Sequence, residues 1–161
     1  MRKQLKIKTV AKILLCVMWL GVIFYNGTRQ GEISQRSSME VVKVAIMFIK
    51  IPSEALDRAN IKFSDINFFV RKSAHFFQYL ILSMLLCAAI RQFKLYKSSE
   101  IFFLLFLLLL FPVIDEFIQK YIPSRTSNIF DIIIDFGGGI LGMLISQVNY
   151  KIHKKRIEVQ L

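Results

Sequence analysis

Three short stretches of the 161-residue sequence gather side chains able to move protons or grip anions. In FVRKSAHFFQYLILS (69–83), Lys72, His75 and Tyr79 fall at i, i+3 and i+7, and Arg71, His75 and Gln78 form an overlapping stripe. One helix face would therefore present cations, an imidazole and a phenol. In DEFIQ (115–119), Asp115 and Glu116 stand about 100° apart around a helix axis, so one of the two is expected to face inward, with Asp115 one turn before Gln119. In IFDIIID (129–135), Asp131 and Asp135 share a face one turn apart, where two bare carboxylates repel and need a cation. Arg71, Lys72, Lys120 and Arg125 are the available partners, and Arg125 is best suited to a bidentate grip on a carboxylate or phosphate. Two chemistries fit such a set. The cations could take an anionic ligand while the carboxylates hold them in place, or His75 could act as an acid/base with its pKa set by a neighbouring carboxylate.

The elements that must position these groups are membrane spans. Hydrophobic residues make up 55% of the chain, which leaves too few polar residues to coat a soluble domain of this length. The net charge of +11 does not point to nucleic acid, because the basic residues flank apolar runs and no soluble segment remains to carry a binding surface. Four spans are predicted, at about 9–25, 71–90, 98–118 and 129–148, each near the roughly 20 residues that cross a hydrocarbon core. The expected fold is an all-α membrane protein, a bundle of four transmembrane helices in one domain over 1–161, because a helix satisfies its own backbone in lipid. The basic start MRKQLKIK before ILLCVMWLGVIFY resembles a secretory signal, but Tyr25, Asn26 and Gly27 make a poor cleavage site, and the segment is expected to stay as an anchor.

Lys and Arg cluster before the first span, between the second and third, and in the tail 149–161, all on one side of a four-span chain. That side is expected to be the cytoplasm, although the connection 26–70 also carries basic residues, diluted by acids. Within that connection MEVVKVAIMFIKIP is too short to span and is expected to form an amphipathic helix, lying in the interface or packed over the mouth of the bundle.

Because helix direction alternates, the start of span two, the end of span three and the start of span four lie at the same membrane face. His75, Asp115, Glu116, Asp131 and Asp135 then fall within about 3 to 9 Å of one surface. Pro112 should kink span three below them, and Gly138 with Gly142 forms a small-xxx-small pair for close helix approach. Cys16 and Cys87 read as apolar packing, GGG lies inside a helix rather than after a strand, and no nucleotide loop or cofactor motif is present. The oxygen-rich set His75, Glu116, Asp131 and Asp135 is not diagnostic of a metal, so none is assigned.

These residues resemble the VanZ-like family of membrane proteins, named for a glycopeptide-resistance protein that raises tolerance to teicoplanin. The resemblance covers nearly the whole chain and rests on FVRKSAHFFQYLILS, on DEFIQKYIPSRTSNIFDIIIDFGGGILG (115–142) and, more loosely, on WLGVIFYNGTRQG (19–31) followed by SQRSS. Arg71, Lys72, His75, Tyr79, Asp115, Glu116, Gln119, Pro123, Arg125, Asp131, Asp135 and Gly138 match the family pattern. Gln78, Ile118 and Ser124 depart from it, standing where the family often has Glu, His and Gly, and the first two would alter any acid/base chemistry carried by those positions. The resemblance implies a bacterial cell membrane, and the Lys and Arg distribution is expected to put both termini in the cytoplasm. It also implies action at the outer face on a glycopeptide, a lipid head group or a lipid-linked envelope precursor. An enzyme on a lipid-linked substrate is the alternative, with His75, Glu116 and Asp131 as catalytic candidates and Arg71, Lys72, Tyr79, Asp115, Gln119, Arg125 and Asp135 binding the ligand. A transporter fits poorly, since only Ser83 and Cys87 lie below the cluster in spans two and three before mostly Leu and Phe.

Overall fold

The computed structural model describes residues 2–29, 31–49, 62–93, 95–125 and 127–159. Among them the chain forms α1 (Arg2–Thr28), α2 (Gly31–Ile49), α3 (Phe63–Ile90), a 3-10 turn (Arg91–Phe93), α4 (Lys97–Gln119) and α5 (Ile129–Val159), with no strand. Four segments, Ile7–Thr28, Phe63–Phe93, Lys97–Gln119 and Ile129–His153, are long and apolar enough to cross a membrane. Val17, Met18, Phe102, Phe106 and Leu144 point outward from three of these helices, as lipid-facing positions should.

Several helices run past the expected limits, α1 starting at Arg2 and α5 continuing to Val159. The second span begins at Phe63 rather than near Arg71, because the polar turn SDIN continues the helix. The Asp65 carboxylate accepts the Lys62 backbone N–H at 3.2 Å, closing the helix start. The amphipathic helix begins at Gly31, well before Met39, and its end from Lys50 to Pro52 lies outside the described residues. It packs on α3 over the mouth of the bundle, with Val42 1% exposed while Glu40, Lys43 and Met47 face outward.

Helix α3 is the hub, touching α1, α2, α4 and α5, and its Tyr79 and Leu82 are buried with Ile23, Leu104 and Leu108 of its neighbours. Its most extensive partner is α5. Gly138 and Gly142 lie directly against the backbone carbonyls of Phe76 and Leu80, where any Cβ would overlap them, so the two helices meet backbone to backbone. Helix α4 runs unbroken through the buried Pro112 to Gln119. At the far end Arg91 ties three helices together, donating to Ser146 O at 3.0 Å and lying 3.7 Å from Glu100 Oε1. The polar end is thus held by packing along the whole bundle.

Candidate functional site

Five chain segments meet at the other end: the last turn of α1, the first turns of α2 and α5, the upper part of α3 and the last turn of α4. The convergence required by alternating helix direction is present. His75 Nδ1 on α3 lies 3.5 Å from Asp135 Oδ2 on α5. Lys72, one turn earlier, forms an ion pair with Asp131 and also sits 5.1 Å from the Phe68 ring centre. The two α5 carboxylates therefore take separate partners rather than sharing one cation.

Asp115 and Glu116 are both buried, at 0% and 1% exposure, which corrects the expectation that one of them faces inward. A rotation of about 100° still leaves both within the bundle, because each meets a different wall. Asp115 faces His75 and Asp135, one donor atom of each lying within 4.8 Å of the others. Glu116 instead accepts the Asn128 backbone N–H at 2.8 Å, while Asn128 Oδ1 accepts the Phe130 N–H at 3.0 Å and caps α5. Glu116 thus fixes the start of the helix that carries Asp131 and Asp135.

Arg125 grips backbone carbonyls rather than a carboxylate. Its Nε donates to Arg29 O at 2.9 Å, one terminal nitrogen donates to Asn26 O at 2.8 Å, and the other donates to Gln119 Oε1 at 2.8 Å. Gln119 passes this on, donating from Nε2 to Asp115 Oδ2 at 3.1 Å. The guanidinium is therefore linked to the buried carboxylate through a neutral amide, and it caps the carbonyls that the end of α1 leaves unpaired. Burial, and after it the nearby Arg71, lower the Arg125 pKa below its ordinary value. A guanidinium remains charged across the working pH range.

In front of this network lies a cleft of about 410 Å³, lined by Arg29, Arg71, Arg125, His75, Gln78 and three serines of α2, Ser34, Ser37 and Ser38. No described lining residue is acidic. His75 lines the cleft while its Nδ1 points back toward Asp135, whereas Tyr79, one turn below, is 0% exposed. Residues 12–150 match the family VanZ/LLP1. The chain belongs to this family. No curated protein and no solved structure matches it.

The VanZ/LLP1 match spans all five segments that build the site. Of the sequence-predicted residues, the structure brings His75, Asp115, Asp135 and Tyr79 together inside the bundle and sets Arg71 and Arg125 at the cleft. Lys72, Asp131 and Glu116 are engaged in pairings of their own. Sequence reasoning missed Arg29 and the serines, whose signal was the segment NGTRQG followed by SQRSS. It also missed Trp19, whose indole N–H donates to Gln78 O at 2.9 Å and locks α1 to α3.

Proposed function

We propose that this VanZ/LLP1 protein binds the anionic head group of a membrane lipid or lipid-linked envelope precursor at the outer face of a bacterial cell membrane, with both termini in the cytoplasm. By occupying such a head group it would alter how a glycopeptide such as teicoplanin reaches its target. The observation that carries this reading is the cleft, which three arginines and three serines line and where no described lining residue is acidic. A phosphate takes charge-assisted hydrogen bonds from guanidinium groups and accepts from hydroxyls, and a basic cleft at the bundle mouth concentrates it. Arg71 has no ion-pair partner among the described residues, which leaves its charge for a ligand.

The test is direct, because Trp19, the one tryptophan, is bonded to a cleft-lining residue. Protein in phosphatidylcholine nanodiscs is titrated with short-chain phosphatidic acid while its tryptophan fluorescence is followed. Saturable change that weakens with salt and is lost in Arg71→Ala supports the reading. An equal response to short-chain phosphatidylcholine would sink it.

A second reading, an acid/base enzyme on a lipid-linked substrate, is favoured by His75, which alone among its catalytic candidates His75, Glu116 and Asp131 lines the cleft. Full turnover of a phosphate-bearing lipid by a His75→Ala variant would remove it.

A further inference from the structure

We infer that His75, Asp115 and Asp135 form a site for a single divalent transition-metal ion, buried behind the arginine-lined cleft. Each residue offers one donor atom within 4.8 Å of the other two, from three different helices. Donors bound at about 2.1 Å to one ion lie roughly 3 to 4 Å apart, so small side-chain rotations complete the set. One imidazole with two carboxylates suits zinc or manganese better than the all-oxygen shells of calcium or magnesium.

The charge balance points the same way. Asp115 and Asp135 are each 0% exposed, yet neither has a lysine or arginine partner among the described residues. Lys72 is committed to Asp131, and Arg125 to two carbonyls and Gln119. Among the described residues both Asp135 oxygens, Asp115 Oδ1, His75 Nδ1 and the Tyr79 hydroxyl make no hydrogen bond, the 3.5 Å approach of His75 Nδ1 to Asp135 Oδ2 being an ion-pair contact. Buried carboxylates need a cation or a proton, and here they converge on an imidazole, which holds an ion through a lone pair or supplies the charge itself when protonated.

Outer-shell support is already in place. Gln119 holds Asp115 Oδ2 and is itself held by Arg125, which leaves Oδ1 as the oxygen without a hydrogen bond among the described residues. Tyr79 stands one turn from His75 on the same face of α3, fully buried, and supplies a hydroxyl for a fourth position or for a carboxylate oxygen. His75 also lines the cleft, so the cleft is the entry path. An ion here would add positive charge behind the arginines.

The test uses tag-free full-length protein in detergent, stripped with chelator and titrated with Co2+, with Zn2+ as competitor. The wild type should bind about one equivalent with a visible absorption band, and Asp135→Asn should weaken binding at least about tenfold. His153→Ala, which removes the other histidine, should leave the titration unchanged. Because Asp135→Asn can fail to fold, His75→Cys gives an independent readout, a thiolate charge-transfer band on Co2+ addition. The absence of a saturable Co2+ band in the wild type, or the same band in an Asp115→Asn, Asp135→Asn double variant, would overturn the site in favour of protonated carboxyl groups.

Discussion

Asp115 rests directly on the Cα of Gly27, so closely that a methyl group added to Gly27 would overlap the Asp115 carboxylate. The turn that ends α1 is therefore one wall of the buried acid cluster, and this position requires glycine for close approach. Gly27→Ala must push aside a carboxylate that Gln119 already holds at 3.1 Å. The expected cost is roughly 1 to 3 kcal/mol, the range for overpacking a filled site, together with loss of Co2+ binding. Gly21→Ala makes the control, since no described residue lies within 4 Å of the added methyl and the change should be neutral or mildly stabilising. Denaturation in detergent compares the two.

The role of Arg125 is geometric more than electrostatic, because its three acceptors lie in three directions and two of them are main-chain carbonyls. A lysine keeps the charge but cannot reproduce the fork. Arg125→Lys is expected to destabilise by roughly 2 to 4 kcal/mol, reflecting lost charge-assisted bonds and half-buried carbonyls left without partners. Hydrogen exchange should quicken around residues 26–34 before it does in α4 and α5. Unchanged exchange there would show that the clamp is dispensable.

Most of the bundle was legible because apolar runs of membrane length leave few alternatives, and alternating direction alone brings His75, Asp115 and Asp135 to one face. Side-chain pairing was less legible. Angular separation on a helix wheel places Asp115 and Glu116 apart, but it says nothing of how many walls surround the helix end, and here there are two. Residue types point Arg125 to a carboxylate or phosphate, whereas two of its acceptors, Asn26 O and Arg29 O, are backbone atoms that leave no residue signature. The wall of the cleft built by Arg29 and α2 was less legible for a similar reason. Arg29 and the serines of α2 lie in a stretch too polar to read as a span, and only packing against α3 turns it into a wall.

The pairing of Lys72 with Asp131 is separable from the cluster around His75. Their side chains are 19% and 15% exposed, so each single substitution leaves a half-buried charge without its partner. Lys72→Met and Asp131→Asn should each destabilise, and the double variant should recover part of the loss. A coupling of about 0.5 to 2 kcal/mol is expected from a double-mutant cycle in detergent denaturation. Additive losses would mean that each side chain finds another partner once the first is removed.

Ser124 has φ 61°, the one positive value outside glycine among the described residues. Its carbonyl is pressed against Gly31, whose N–H donates to Pro123 O at 3.3 Å, so the left-handed turn is held by the start of α2. A side chain at this φ costs about 1 to 2 kcal/mol, and glycine returns part of that gain through its freer unfolded chain. Ser124→Gly should therefore stabilise by about 0.5 to 1 kcal/mol, whereas Ser124→Ala, which keeps the Cβ, should not. Gly31→Ala should do the opposite, because the atom it meets is a backbone carbonyl that cannot rotate away. If Ser124→Gly and Ser124→Ala unfold at the same denaturant concentration, the strain is absent. If only the glycine variant gains, the turn stores strain while it holds Arg125 against α1.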